Sequence, residues 1–106
     1  MNTTAILGHI TRNPHFIQGN KDKSSVAFLT IANNDDKENT IFIEVSAFGK
    51  TAEYAHNNLK KGSKVIVEGK LAQRVKTTEK GLEYTETYLF CKRLTNLSNK
   101  KENQGS

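Results

Sequence analysis

From Ile41 to Phe48 apolar and polar positions alternate with a period of two, the spacing of a strand whose successive side chains point to opposite faces. Ile41, Ile43, Val45 and Ala47 share the face expected to meet the core. Phe42, Glu44, Ser46 and Phe48 share the other, where Glu44 and Ser46 argue for solvent. Two aromatic rings on a wet face form a platform for flat ligands, unless a second layer covers that face and both rings are core. The same period recurs in four further segments. Ala5–Ile10 is a first strand, with a bend or bulge expected at Gly8 and a turn at Asn13-Pro14. Val26–Ala32 is a second strand, entered through the polar turn 19–24 and left through the solvated loop Asn33–Asn39. Val65–Arg74 is a fourth, with a second bulge expected at Gly69. Leu82–Leu94 is a long fifth strand, after the turn Thr77–Gly81.

One segment has helical spacing instead. Ala52, Ala55, His56 and Leu59 fall on one face, with Thr51 as the expected cap and Gly62 as the stop behind Lys60 and Lys61. Five strands with one short helix between the third and fourth predict an all-β OB-fold, a Greek-key barrel. A generic β-sandwich is the alternative. Residues 1–97 are expected to form this one domain, and 98–106 a short, disordered polar tail.

Composition narrows the partner. The chain has 106 residues, 35% of them hydrophobic, so its core is lean, and small cores of this kind are often completed by self-association. Sixteen Lys and Arg against 11 Asp and Glu give a net charge of +5, which favours a polyanion. No apolar run is long enough to span a membrane, and the start of the chain does not read as a secretion signal. Cys91 has no partner cysteine, which fits the reducing cytoplasm. His9, His15 and His56 are not spaced as metal ligands, and no phosphate-cradling loop or nucleophile turn is present. The reading is therefore of a non-enzyme without cofactor, metal or catalytic residues.

Several segments together resemble the bacterial single-stranded DNA-binding protein family. Ile6–Pro14 is similar to its opening strand and turn, Val26–Ala32 to its second strand, and Val45–Lys50 to the end of its third. The best match is Lys60–Leu71. The resemblance implies an OB-fold, usually a homotetramer, that binds single-stranded DNA without strong sequence preference in replication, recombination or repair. A tetramer stands ahead of a dimer on that ground. Phe48 matches the family's phenylalanine before Gly-Lys, Phe42 stands where the family carries a tryptophan, and Lys76 where another is common. The chain has no tryptophan at all, so weaker stacking and a larger electrostatic share are expected. Its last residues carry no acidic cluster or terminal aromatic, which argues against recruiting partners through the family's acidic tip. Short variants from mobile elements are similar in this respect.

The expected DNA-binding residues follow from both readings. Phe42 and Phe48 take bases on their faces. Arg74, Lys76 and Lys80 make a basic finger on the fourth-to-fifth hairpin. Lys50, Lys61 and Arg12 are backbone candidates, and Tyr84 matches a family tyrosine on a strand whose mixed face also suits core or interface. Phe16 and Phe28 read as packing residues. Glu44 opposes phosphate, and it is expected to lower affinity or to pair with a neighbour such as Lys70. The rival functions are an OB-fold protein–protein adaptor of a primosome or mobile-element complex, and an RNA binder of cold-shock type.

Overall fold

A computed structural model describes residues 1–98. Six strands and one helix follow in order: β1 (Thr4–Ile10), β2 (His15–Ile17), β3 (Val26–Asn33), β4 (Ile41–Phe48), α1 (Gly49–Asn58), β5 (Lys64–Thr77) and β6 (Glu83–Asn96). The strands pair in the order β1-β5-β6-β4-β3-β2, and β1 pairs with β3 as well. That extra pairing closes five strands into a ring, the OB-fold barrel, with β2 as a short flap on β3. The flap is the one strand absent from the sequence reading, since three residues show no periodicity.

Two glycines make closure possible. Gly8 pairs with Val65 in unbroken register, so it is not a bulge. A side chain there would strike the Ala32 carbonyl and the Ile31 side chain, at the point where β1 leaves β5 for β3. Gly69 does mark a register shift, between Glu68 and Gly69 against β6, and a Cβ there would meet the Phe90 carbonyl. A shift of this kind raises local twist and lets a strand serve two parts of a small barrel.

The core includes the inward residues expected of β4 and β5, Val45, Ala47, Val65 and Val67. Ile10, Ala27, Leu29, Ile31, Val45, Ala47, Val65, Val67 and Leu89 are buried together with Ala52 and Ala55 of α1 and with Leu59 just past its end. The helix begins at Gly49, two residues before the expected Thr51 cap, and Phe48 precedes it without a side-chain capping bond. It ends at Asn58, where Leu59 turns extended, so Gly62 serves the turn into β5 and does not itself stop the helix. That turn is tied to β1: the Gly62 amide donates to the Ile10 carbonyl (2.7 Å) and the Ile10 amide to the Ser63 carbonyl (2.9 Å).

Three positions break the expected faces. Ile41 is exposed because β4 starts beyond the barrel rim. Leu71, expected inside, is 41% exposed, because β5 and β6 run past the barrel as a hairpin with no layer beneath it. Ser46, expected on the wet face, is 3% exposed, flanked in the ladder by Phe28 on β3 and Phe90 on β6. The expected tail falls outside the described residues except for Ser98, whose hydroxyl accepts from the Lys64 amide (2.7 Å).

Candidate nucleic-acid interface

The outward faces of β3, β4, β6 and β5 form one continuous surface, assembled by ladder register. One row across it reads His15, Phe28, Ser46, Phe90 and Lys70. The next reads Thr30, Glu44, Tyr88 and Ala72. At about 4.8 Å per strand, the first row spans about 19 Å. The step from β4 to β6 is parallel, the only parallel pairing among the described strands. It sets side chains more than forty positions apart in sequence beside one another.

Aromatic rings punctuate this surface. Phe42 is 64% exposed at one end of β4 and Phe48 is 43% exposed at the other. Among the described residues Phe42 has no ring neighbour, whereas Phe48 stacks on Phe90 with centroids 5.2 Å apart and planes 23° from parallel. Phe28, read from sequence as packing, is 37% exposed and stacks with His15 at 6.2 Å. Its outward position was legible: Ala27, Leu29 and Ile31 take the core, which leaves Phe28 beside polar Thr30 on the other face. Tyr88 and Phe90 share Tyr84's face in the sequence, a face that also suits core or interface, and only the parallel pairing carries them next to Glu44 and Ser46. Phe16 packs against the core and stacks on His56 at 4.2 Å, as a packing residue should.

Cations are interleaved with the rings. Lys70 Nζ lies 5.8 Å from the Phe90 centroid, and the Arg74 guanidinium lies 4.1 Å from that of Tyr88. Arg74 and Lys76 both reach Glu86: Nε to Oε1 at 3.1 Å and Nζ to Oε2 at 3.3 Å. The expected basic finger is therefore partly neutralised by its own hairpin. Tyr84 faces Lys76 across the ladder and is exposed, which separates it from the core. Lys80 is exposed in the hairpin turn. Arg12 stands at the margin, its Nη2 3.5 Å from the Thr30 hydroxyl.

Between these groups lies an open groove of about 310 Å³ lined by Phe28, Glu44, Ser46, Arg74, Lys76 and Glu86. Glu44 does not pair with Lys70. It accepts from the Thr30 hydroxyl, at 2.9 and 3.1 Å to its two oxygens, because register sets Thr30 directly opposite and commits Lys70 to Phe90. Lys50 and Lys61 stand apart from the groove. Lys50 lines a hollow with Lys23, Ser25 and Glu53. Lys61 lines another with Lys60, Ser63 and Asn96, and its amide donates to Asn13 (2.8 Å).

The titratable groups that shift lie off this face. Burial pushes the Cys91 thiol up to about 11. In the Asn33–Asn39 loop, the Asn39 side chain and the Glu38 amide hold the Asp36 carboxyl below its ordinary value. Among the described residues no cluster of His, Cys, Asp or Glu could hold a metal ion, and no helix is long and apolar enough to cross a membrane.

Comparison with known proteins points the same way as this surface. The profile of the single-strand binding protein family matches residues 1–97. The chain is 30% identical over 111 residues to the single-stranded DNA-binding protein 2 of Chlorobaculum tepidum, covering 97% of this chain and 75% of that one. It is also 30% identical over 112 residues to the single-stranded DNA-binding protein of Wolinella succinogenes, covering 98% and 68%. A shorter match, 33% over 79 residues, is to the single-stranded DNA-binding protein of Helicobacter hepaticus and covers 67% of this chain and 46% of that one.

Proposed function

This chain belongs to the single-strand binding protein family, and from that premise we propose that the outer face of β3, β4, β6 and β5 is where it binds single-stranded DNA, in replication, recombination or repair. The observation that carries the assignment is the alternation of exposed rings and cations on one sheet surface: Phe42, the Phe48–Phe90 stack with Lys70 beside it, and Tyr88 under Arg74. Every base has a π-face, so rings on such a surface accept any sequence, while lysines and arginines follow the phosphates.

The chemistry is association without a covalent step. Lys70, Arg74, Lys76 and Lys80 draw in the backbone, and release of condensed counterions supplies much of the affinity. Phe42 and Phe48, at opposite ends of one strand, hold separate bases and cannot sandwich the same one. Tyr84 extends the path along the hairpin, and Arg12 reaches it from the margin. Lys50 and Lys61, in their own hollows, serve strand segments entering or leaving the surface.

Self-association extends the path further. From Thr4 to Gly8, β1 is paired with a strand on one edge alone, to β5; on the other edge the Leu7 carbonyl accepts from the Asn33 side chain, and the Leu7 side chain is exposed. A free edge with apolar surface is a template for another strand, which supports a homo-oligomer, a tetramer ahead of a dimer. Several copies joined this way would take the strand in turn. The lone Cys91 fits work in the cytoplasm.

The test is the double variant Phe42→Ala and Phe48→Ala titrated with oligo-dT. Two stacked bases at roughly 1–3 kcal/mol each predict a loss of roughly 2–6 kcal/mol. An unchanged titration with the fold intact would reject the stacking surface. Light scattering with and without the oligonucleotide reads the subunit number in the same samples.

A further inference from the structure

Alternation along β2 settles where His15 points. Phe16 packs against the core and stacks on His56 of α1, with centroids 4.2 Å apart and planes 12° from parallel. Its neighbours His15 and Ile17 are therefore turned outward, and both are exposed. The flap is three residues long and, among the described strands, pairs with β3 alone, so the Phe16 ring anchors it to the barrel.

Register sets His15 directly opposite Phe28, and the two rings stack with planes 21° from parallel. On its other side Phe28 lies opposite Ser46 of β4. His15 thus stands on one side of the Phe28 ring. The groove lies on the other, lined by Phe28 with Glu44 and Ser46 of β4, Arg74 and Lys76 of β5 and Glu86 of β6.

We infer that Phe28 is a further base-stacking residue, taking a base from the groove side, and that His15 is a positioning residue which backs its ring from the flap. The inference rests on the single-strand-binding reading and extends it to a residue whose sequence suggested packing.

A ring serving the core would join Ala27, Leu29 and Ile31, which are buried on the opposite face of β3. Phe28 is 37% exposed instead, covered by the imidazole on one side and open to the groove on the other. Aromatic pairs attract with centroids about 4.5–7 Å apart. The His15 contact, at 6.2 Å, falls in that range and holds the Phe28 ring at the angle a base would meet.

Charge sorts what the groove can take. Glu44 and Glu86 both line it, and Glu86 already occupies Arg74 and Lys76. Two carboxylates repel a phosphate from the interior and leave a neutral base unopposed, so the base goes in and the backbone stays at the rim. Phe28 and Phe90 are two strands apart, about 10 Å across the sheet, which is room for separate bases. Stacking is indifferent to base identity, so the added site leaves the surface open to any sequence.

The test is an oligo-dT titration by fluorescence anisotropy on the full chain at low, fixed salt, with thermal melting to check folding. Phe28→Leu keeps an apolar side chain and removes the π-face. It should weaken binding by about five- to 150-fold, the share of one stacked base. Phe28→Tyr keeps the face and should bind as the wild type does. His15→Ala should weaken binding less than Phe28→Leu, and His15→Phe should restore it. In the Phe28→Leu background His15→Ala should change nothing further, because its effect runs through the ring. An oligomer carrying 5-iodouracil, irradiated with the wild type, should cross-link to Phe28. A folded Phe28→Leu that binds like the wild type overturns the inference and leaves single-strand binding standing. So does an equal loss in Phe28→Leu and Phe28→Tyr, or a wild type that binds without a cross-link at Phe28. A His15→Ala effect that persists in the Phe28→Leu background overturns the positioning role. Failure of the wild type to bind the oligomer overturns the single-strand-binding reading itself, and this inference with it.

Discussion

Glu86 holds Arg74 and Lys76 at 3.1 and 3.3 Å in the free protein, so DNA must compete with a carboxylate for two of the cations that would meet its backbone. In Glu86→Gln that competition goes. The side chains of Arg74 and Lys76 are 41% and 44% exposed, so each pair is solvent-screened and worth about 0.2–1 kcal/mol. Together they hold back about 0.4–2 kcal/mol of binding, a factor of about 2 to 30 at low salt. The variant should lose a similar amount of folding stability, so its urea midpoint should fall while its affinity rises. Salt dependence gives the sharper readout. Each phosphate neutralised on a single strand contributes about 0.7 to the slope of log affinity against log salt, so two freed cations should steepen it by up to about 1.4. The assay is an oligo-dT titration by anisotropy from low to moderate salt, wild type against variant. An unchanged slope would show that Arg74 and Lys76 do not touch phosphate. Weaker binding at every salt would show that Glu86 serves to orient Arg74 over Tyr88, and would refute the competition argument.

Other outcomes follow from the same geometry. Phe42→Ala, at a ring with no aromatic neighbour among the described residues, should leave thermal stability within about 0.5 kcal/mol while weakening binding. Phe48→Ala should also loosen Phe90, so a smaller effect on stability for Phe48→Ala than for Phe42→Ala would count against the stack. Gly69→Ala forces a Cβ into the Phe90 carbonyl, an overpacking of roughly 1–3 kcal/mol; a melting temperature equal to wild type would mean that β5 can shift there freely. Burial raises the Cys91 thiol from 9.0 to about 11. The stability this neutral thiol contributes is whole below pH 9 and is lost as pH climbs through 11. Native labelling with a disulfide reagent at neutral pH should be slow and become complete only in denaturant; rapid native labelling would refute a buried thiol.

Much of the barrel was readable from alternation, since a period of two is a local property that survives without knowledge of neighbours. It placed Val45 and Ala47 inward and Phe42 and Phe48 outward, all as observed. It also carried the inward set of β5, Val65 and Val67, except at Leu71. There the pattern continued after the barrel ended, because a strand does not register whether a layer lies beneath it. Gly8 and Gly69 stood out as interruptions, but only the fold separates their roles: one is a close approach in regular register, the other a true shift.

The chain alone decided which residues can be outward on each strand, where the turns fall, and that the net charge would attract an anion. It could not decide which outward residues become neighbours, because register between strands distant in sequence is set by barrel closure as a whole. The parallel pairing of β4 with β6 brings Tyr88 to Glu44 and Phe90 to Ser46, and so builds the surface from segments that share no local signal. With Phe28 across the β3–β4 ladder it buries Ser46 between two rings, while the antiparallel pairing of β5 with β6 lines Lys70 up with Phe90 in place of Glu44. Pattern supplies the candidates for a site like this one, and tertiary pairing selects among them, because contact energy depends on a few ångströms that no spacing within one strand can fix.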